Sequence, residues 1–500
     1  MITYLLSNFF RMDTPHSITL ASDLSICKVL TGLWQVADLE RDGRLLDAEK
    51  AALDMKQYFD NGFTTFDMAD HYGSAEDIAG IFHKKYGGNK AQLFTKWVPQ
   101  PGHVKKEQVK EAIQKSLRRL QSERIDLLQF HAWNYAHPAW LDCLYWLQDL
   151  KTEGLIAHLG LTNFDTAHLS MVVNSGIAVV SNQVCYSLLD LRASQQMTAL
   201  CLKHQIKLLA FGTLAGGFLS EKWLNKPEPV MSESLTWSQM KYKRFVDAAG
   251  GWDKFQQLLH TLDLVSKKNN TCIANVSSRF ILEQPAVGGV IIGARLGQSE
   301  HIEENKKLLT LQLDDVSKNL IRESLKQLTA IPGDCGDEYR KPPFLTASGD
   351  LSHHLESTPS PYPTEVGQDG RTKALSGTVW EDLAGFSRAI RKDNRILISG
   401  TTATHGNGLI GGSDPAAQMH FVLDKIEGAL QSLGGSLQEV VRTRIYIRNI
   451  HDWEPIARAH GERFKDIQPA NTMVKAELIG EEYLVEMEAE AVVRENDVAL

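Results

Sequence analysis

Short apolar runs rich in β-branched residues alternate with amphipathic stretches between residues 28 and 309. The runs with the length and composition of β-strands are residues 29–34, 63–68, 92–96, 125–131, 158–162, 179–184, 207–211 and 289–292. Helical periodicity falls between them, at residues 46–59, 75–85, 106–120, 138–151 and 165–174. Strands alternating with helices at this spacing indicate parallel βαβ units, so the pattern predicts an α/β fold, a closed (β/α)8 TIM barrel. The long seventh crossover, residues 222–280, predicts an extended loop over the barrel mouth.

A second pattern follows the barrel. Residues 331–376 are rich in Pro, Ser, Asp and Gly, which is typical of a linker or wrapping tail. Beyond them the predicted strands are residues 395–400, 440–448, 472–478 and 483–493, and the predicted helices are residues 414–433 and 453–464. We therefore expect an extension (1–24), a barrel (25–330), a linker (331–376) and a small α+β domain (377–500).

Composition narrows the class of protein. The 500 residues are too many for one compact core, and 43% apolar with 23% charged residues is ordinary for a soluble globular chain. A net charge of −8 without a basic block argues against nucleic-acid and membrane partners. The six scattered cysteines are typical of reduced thiols, and residues 1–12 lack the basic start of a signal peptide, so we expect a cytoplasmic protein.

Candidate chemistry lies at the ends of successive predicted strands. Asp67 ends the second strand with Tyr72 just beyond it, Lys96 ends the third, and His131 ends the fourth. An ammonium next to a phenol favours the phenolate, so we expect Lys96 to lower the pKa of Tyr72 by roughly 1–3 units. Carboxylate, phenol, amine and imidazole together can protonate a carbonyl oxygen that gains negative charge. The alternative is that each residue is separately structural, as an ion pair, a packed ring or a core histidine.

The four residues, with Gly73 and Glu76, resemble the Asp/Tyr/Lys/His tetrad of the aldo-keto reductases, NAD(P)H-dependent enzymes on a TIM barrel. The resemblance covers roughly residues 25–330. It implies NADPH (NADP+) as cofactor, a small-molecule carbonyl substrate, and catalytic roles for the tetrad. The residues that it implicates in cofactor binding are Thr162, Asn163 and Gln183 at the nicotinamide amide, Phe211 stacked on the ring, Leu214 and Gly216 at the pyrophosphate, and Gly293, Arg295, Glu304 and Asn305 at the adenosine end.

Elementary chemistry supports part of this assignment. Gly293 ends the last strand before a helix, where backbone amides can meet a phosphate. Arg295 offers a bidentate fork for the 2′-phosphate that distinguishes NADPH, although it could equally be a solvated surface arginine. Trp34, Trp97 and Trp133 stand at or just past strand ends, where they could wall an apolar carbonyl pocket or simply pack the barrel.

The second domain resembles the Rid (YjgF-like) reactive enamine/imine deaminases over residues 377–495, on the strand beginning at Arg395, the Pro469-Ala470 pair and the strand at Val485. The resemblance implies a chorismate-mutase-like α+β fold and a homotrimer. Asn471 stands where the deaminases have a carboxylate-binding arginine, and Phe386 where they have tyrosine. We therefore expect a domain that oligomerises or binds a ligand, and not a standard 2-imino acid deaminase.

Two other patterns are interpreted as non-functional. Gly406-x-Gly408-x-x-Gly411 fits the dinucleotide fingerprint, but it sits too far past its strand and no acidic residue ends the next strand, so a turn is expected. His353-His354 lacks further ligands at suitable spacing, so no metal site is expected.

The leading hypothesis is an NADPH-dependent carbonyl reductase. A bifunctional reductase and imine/enamine hydrolase, and a cofactor-binding regulatory subunit, are the alternatives.

Overall fold

The computed structural model describes residues 16–40, 43–87, 90–232, 234–406 and 408–494. A hairpin of β1 (Ser17–Ala21) and β2 (Leu24–Cys27) precedes the barrel. The barrel strands are β3 (Val29–Gly32), β4 (Thr65–Asp67), β5 (Gln92–Trp97), β6 (Ile125–Phe130), β7 (Ile156–Thr162), β8 (Ser181–Cys185), β9 (Lys207–Phe211) and β10 (Val287–Gly293). They are parallel, each pairs with the next along the chain, and β10 closes the barrel onto β3. The predicted TIM barrel is confirmed.

Helices lie between the barrel strands along the chain and follow the last of them. They are α1 (Trp34–Leu39), α2 (Ala48–Asp60), α3 (Ala75–Lys85), α4 (Lys106–Leu120), α5 (Ala139–Thr152), α6 (Thr166–Asn174), α7 (Gln196–Lys203), α8 (Trp237–Ala248), α9 (Trp252–Lys268), α10 (Ile273–Leu282), α11 (Ile302–Thr310) and α12 (Asp315–Leu325). Local sequence explains several starts, because Asp47, Asp165 and Asp314 each accept a backbone N–H at the first turn of α2, α6 and α12.

The β1–β2 hairpin closes the bottom of the barrel. Leu20, Leu24 and Ile26 from the hairpin form one buried cluster with barrel side chains that include Phe94 and Leu127. Burying an aliphatic side chain of this size contributes about 1.5–3 kcal/mol before the entropy cost of ordering it. This hairpin lies partly within the range that the sequence described as an extension, and it leaves the opposite, C-terminal end of the strands as the open mouth.

The long seventh crossover differs from its sequence-based description. It carries two long helices, α8 and α9, where the sequence predicted an extended loop. Thr236 and Gln239 form a reciprocal capping box that starts α8. The buried Phe255, Leu258 and Leu262 lie on one face of α9, which fixes that helix against the barrel.

A linker and a second domain follow α12. The linker contains the short helix α13 (Asp337–Arg340). The remaining helices are α14 (Val379–Ala384), α15 (Pro415–Ser432) and α16 (Trp453–Phe464). The strands are β11 (Thr364–Val366), β12 (Thr372–Ala374), β13 (Ala389–Lys392), β14 (Arg395–Thr402), β15 (Thr404–His405), β16 (Gly408–Leu409), β17 (Val440–Ile447), β18 (Ala470–Lys475) and β19 (Val485–Val492).

Seven of these strands form one sheet in the order β11-β12-β13-β14-β19-β17-β18. Only the β17–β18 pair within this sheet is parallel. The predicted small α+β domain is confirmed, and the sheet also recruits β11 and β12 from the range that the sequence described as linker.

The glycine-rich stretch 406–411 lies around the β15–β16 hairpin, and residue 407 falls outside the described residues. Gly411 donates its N–H to Ser175 Oγ at 2.9 Å. A Cβ on Gly412, which has a positive φ of 51°, would lie 2.4 Å from the carbonyl oxygen of Asn174. These glycines let the second domain approach α6 of the barrel closely.

Candidate active site

The four tetrad residues meet at the mouth of the barrel because parallel strands end on one rim. Asp67 is the last residue of β4, Lys96 lies in β5, and His131 directly follows β6. Lys96 Nζ lies 2.7 Å from Asp67 Oδ2 and donates to the carbonyl oxygen of Met68 at 2.8 Å. The same ammonium lies 5.0 Å from the ring centroid of Tyr72. The structure therefore brings Asp67, Lys96 and Tyr72 together, and it places His131 at the end of the neighbouring strand β6.

Two glutamines complete the surroundings of Asp67. Its Oδ1 accepts hydrogen bonds from Gln129 Nε2 at 2.9 Å and from Gln183 Nε2 at 2.8 Å. Gln183 Nε2 also donates to Gln129 Oε1 at 2.9 Å. Gln129 is fully buried, and sequence reasoning missed it. The signal was a polar side chain inside an otherwise apolar strand, where only a hydrogen-bonded amide is stable.

The electrostatics of the Tyr72–Lys96 pair correct the sequence-based expectation. Burial, followed by the charge of Asp67, raises the pKa of Tyr72 well above its usual value of 10.0. Burial lowers the pKa of Lys96, and the charge of Asp67 opposes that shift. The expected lowering of the Tyr72 pKa was wrong because desolvation of the phenolate dominates. Tyr72 therefore carries its proton throughout the neutral range.

His131 is held by one ring nitrogen and leaves the other free. Its Nδ1 lies 3.2 Å from the carbonyl oxygen of Thr162. A carbonyl only accepts, so Nδ1 carries the proton in the neutral ring. Nε2 is buried and has no partner within the described residues. Burial, followed by the charge of Arg340, lowers the pKa of His131 well below 6.5, so the ring is neutral.

The residues implicated at the nicotinamide amide cluster around one carbonyl. Thr162 Oγ1 and the Asn163 N–H both donate to the Gln183 carbonyl oxygen, at 3.2 and 2.8 Å. Asn163 has a φ of 59°, a left-handed conformation that Asn adopts more readily than most residues. Its Oδ1 is buried without a partner in the described chain. An unpaired buried amide oxygen of this kind fits a site built to receive a hydrogen-bond donor.

Residues after β9 and β10 line the rest of the candidate cofactor site. Phe211 ends β9, while Leu214 and Gly216 lie at the turn Ala215–Gly217, where Gly216 has a φ of 64°. Gly293 ends β10, and a Cβ there would lie 2.4 Å from Gln35 Oε1. Glycine at both positions lets the backbone lie close to neighbouring protein groups, the Gln35 side chain at Gly293 and the Ser238 carbonyl at Gly216.

The adenosine-end residues lie between the end of β10 and the first turns of α11. Arg295 lies two residues past the end of β10, and Glu304 and Asn305 lie in the first turns of α11. Arg295 Nε is buried and, within the described residues, lacks a hydrogen-bond partner. Arg295 fits an anionic dinucleotide, because its buried Nε–H has no partner among the described residues and can donate to a phosphate.

Of the three tryptophans, two border the tetrad. Trp34 packs edge-on against Tyr72 with centroids 4.9 Å apart, and Trp133 packs against His131 at 4.3 Å. Trp97 instead packs against Phe130 in the core. The wall expected of all three residues is therefore formed at the tetrad by Trp34 and Trp133.

The linker also reaches the mouth, which sequence reasoning missed. Tyr339 packs against His131, and His354 packs against Trp133 at 5.3 Å. His353 lies against Trp237. The described residues contain no group of three or more His, Cys, Asp or Glu able to hold a metal ion.

In the second domain, Asn471 Nδ2 donates to Thr443 Oγ1 at 2.9 Å. The guanidinium of Arg388 is buried and lies 5.7 Å from the Phe386 ring. Glu486 lies directly over Gly400, where a Cβ would be 2.1 Å from its Oε1. Burial raises the pKa of Glu486.

Comparisons with known proteins agree with this fold. The sequence profile of the Aldo/keto reductase family matches residues 28–326, and that of Endoribonuclease L-PSP matches residues 379–493. The uncharacterized oxidoreductase YqkF of Bacillus subtilis is 27% identical over 57% of this chain and 87% of its own length. An uncharacterized protein of Streptomyces coelicolor is 33% identical over 24% of this chain and 90% of its own.

A solved glycerol dehydrogenase from Gluconobacter oxydans shares the fold, with a TM-score of 0.54 and 21% identity over 64% of this chain and 98% of that one. The class defined by the barrel is therefore that of an oxidoreductase. The chain belongs to the aldo/keto reductase family, and its C-terminal domain is of the Endoribonuclease L-PSP (YjgF-like) kind. Both resemblances predicted from the sequence are confirmed.

No helix in the described ranges is long and apolar enough to cross a membrane.

Proposed function

We propose that the barrel is an NADPH-dependent reductase that converts an aldehyde or ketone to an alcohol. The observation that carries the proposal is the arrangement of Tyr72 above the buried Lys96–Asp67 pair. His131 follows the neighbouring strand, and its Nε2 has no partner among the described residues. Each group has a role in protonating a carbonyl oxygen.

NADPH supplies the hydride when it is bound. Tyr72 delivers its proton to the oxygen that gains negative charge, and its raised pKa means that the proton is present at neutral pH. Lys96 stabilises the phenolate left behind, because its ammonium lies 5.0 Å from the ring centroid. Asp67 holds Lys96 in place, and the Gln129 and Gln183 amides hold Asp67.

His131 holds the substrate oxygen once Tyr72 has protonated it. With Nδ1–H donating to Thr162, the Nε2 lone pair faces the site and accepts the hydroxyl of the product alcohol. The residues that would hold the cofactor are Thr162, Asn163 and Gln183 at the amide, Phe211 at the ring, Leu214 and Gly216 at the pyrophosphate, and Gly293, Arg295, Glu304 and Asn305 at the adenosine end.

Titration of the full-length protein with NADPH and with NADH, followed by quenching of tryptophan fluorescence, tests the cofactor. Tight NADPH binding with weak NADH binding supports the site and Arg295. Binding of neither nucleotide rejects the reductase assignment. Tight binding without turnover on any carbonyl would favour a regulatory role.

We also propose that the C-terminal domain serves mainly to assemble the protein, as a trimer, and that it lacks the standard 2-imino acid deaminase activity. Asn471 supports this, since its amide is bound to Thr443 and offers no charge to a substrate carboxylate. Sedimentation velocity tests the assembly. Hydrolysis of 2-imino acids by the wild-type chain, at rates matching a Pro-Ala-Arg deaminase, would contradict the second statement.

A further inference from the structure

The linker between the two domains contributes a tyrosine to the barrel mouth. The ring centroid of Tyr339, in α13, lies 5.8 Å from that of His131 and 5.8 Å from that of Trp133. Its hydroxyl oxygen accepts a hydrogen bond from Lys241 Nζ at 2.6 Å. Tyr339 therefore stands between the tetrad and Lys241, a lysine on α8.

The Lys241 ammonium is surrounded by aromatic rings. Its Nζ lies 4.6 Å from the centroid of the Tyr339 ring and 5.0 Å from that of Phe211, and the rings of Tyr242 and Phe245 lie within 6.0 Å. Aromatic faces attract an ammonium and offset part of its desolvation cost. Aromatic faces do not neutralise the ammonium as a carboxylate counter-ion would.

No carboxylate forms an ion pair with Lys241 among the described residues. The nearest acid to influence it is Glu338, which instead pairs with Arg192 at 2.8 Å. Burial lowers the pKa of Lys241, but Tyr339 and Glu338 outweigh it, so the pKa is raised and the ammonium stays charged. Trp133 adds a second free donor near the tetrad, because its Nε1 is buried and lacks a partner in the described ranges.

We propose that Lys241 and Tyr339 bind a carboxylate on the carbonyl substrate, so that the reductase prefers acidic aldehydes or ketones. The inference rests on the proposed reductase function and specifies its substrate class. The carbonyl oxygen lies at Tyr72 and His131, and the carboxylate lies beyond the Tyr339 ring at Lys241.

A matched pair of substrates tests the idea with the full-length protein and NADPH. 4-Carboxybenzaldehyde and methyl 4-formylbenzoate have nearly the same shape, but only the first carries a charge. We expect kcat/KM to be at least about 10-fold higher for the acid, the size of one charge-assisted hydrogen bond. Lys241→Met should remove this preference mainly by raising KM for the acid, and Lys241→Arg should retain most of it.

Tyr339→Phe should reduce the preference partially, because Lys241 keeps its charge. Lys267→Met, on an exposed part of α9, is the matched control and should change neither substrate. Equal kcat/KM for the two aldehydes, or an unchanged preference in Lys241→Met, overturns the proposal. Weaker NADPH binding by Lys241→Met with the preference intact also overturns it, since the lysine would then serve the cofactor.

The two failures are distinguishable. If the wild-type protein reduces both aldehydes equally well, only the carboxylate assignment fails and the reductase stands. If it reduces neither aldehyde and binds no NADPH, the reductase function fails and the carboxylate assignment with it.

Discussion

His168 Nε2, on α6 of the barrel, lies 2.8 Å from Asp424 Oδ2, on α15 of the C-terminal domain. Nδ1 of the same ring lies 2.6 Å from Asp165 Oδ1, and the ring stacks on Tyr135 with centroids 3.4 Å apart. All of these side chains are buried. A ring bound to a carboxylate on each nitrogen is an imidazolium, so the two domains share a buried ion pair.

This bridge continues toward the candidate site. The Arg340 guanidinium lies 4.2 Å from the centroid of the Tyr135 ring. Arg340 also donates to the carbonyl oxygens of Ala132 and Asn163, the neighbours of His131 and Thr162. The second domain is therefore connected to the mouth of the barrel through a short series of contacts.

The bridge predicts a pH dependence of stability. Burial lowers the pKa of His168, but Asp165 and Asp424 outweigh it and raise the pKa above 6.5. A raised folded-state pKa stabilises the protein fully below pH 6.5, and this contribution is lost as pH rises through the higher folded value. We expect the Tm to fall over that alkaline interval. His168→Gln should lower the Tm at pH 6 and flatten its pH dependence. Calorimetry from pH 5.5 to 9 measures both.

Removing one residue of the His168–Asp424 ion pair should lower the free energy of unfolding. Asp424→Asn leaves His168 and Arg463 without a shared carboxylate, and breaking a buried pair costs about 3–5 kcal/mol. The exposed pair Lys56–Asp60 provides the control, because Asp60→Asn should cost at most about 1 kcal/mol. Chemical denaturation of both variants gives the comparison. Equal losses would show that the bridge contributes nothing beyond a surface pair.

Tyr72→Phe should abolish turnover and leave cofactor binding intact. The phenol proton is lost while the ring, which packs against Trp34, remains. A general acid contributes about 10²–10⁴-fold to a rate, so kcat should fall by that factor at unchanged NADPH affinity. Tyr86→Phe, at the end of α3, is the control. Unchanged kcat in Tyr72→Phe would remove Tyr72 from the mechanism.

Variants of the buried Asp67–Lys96 pair should affect stability and catalysis differently. Asp67→Asn leaves the Lys96 ammonium buried without its carboxylate, which should cost about 3–5 kcal/mol and abolish turnover. The double variant Asp67→Asn/Lys96→Met removes both charges, so stability should recover partly while activity stays absent. Unfolding curves and single-turnover rates measure the two effects. Recovery of activity in the double variant would contradict the role of Lys96.

Arg295→Ala should weaken NADPH binding selectively. A hydrogen bond to a charged group contributes about 1.5–3 kcal/mol, which is a loss of about 10- to 150-fold in affinity. NADH lacks the 2′-phosphate, so its affinity should change little. Arg322→Ala, on α12 away from the mouth, is the control. Fluorescence titration with both nucleotides measures the ratio, and equal losses for the two would argue against a 2′-phosphate contact.

We expect kcat/KM to show no change around pH 6.5, the usual pKa of a histidine side chain. The pKa of His131 lies well below 6.5, and the pKa of Tyr72 lies well above 10.0. The pKa of Lys96 is lowered from 10.5, so activity should decline on the alkaline side as Lys96 loses its proton. Lys96→Arg should move this decline to higher pH. An inflection near pH 6.5 would show that His131 titrates in the working range.

The barrel could be predicted from the sequence alone, and so could the positions of Asp67, Lys96 and His131 at the ends of its strands. The alternation of strand and helix periodicity forces parallel strands, and parallel strands place their C-terminal residues on one rim. Asp67, Lys96 and His131 therefore meet wherever this pattern closes into a barrel. Local composition sufficed because each of these residues is positioned by its own strand.

Contacts between residues far apart in the chain, and the burial that they produce, could be established only from the tertiary structure. The Gln129 and Gln183 amides on Asp67, the burial that raises the Tyr72 pKa and the Tyr339–Lys241 contact arise only after the chain folds. His168 and Asp424 are 256 residues apart in the chain. Neither shows any local sign of the other, because desolvation and pairing are properties of the packed interior and not of a residue's neighbours in sequence.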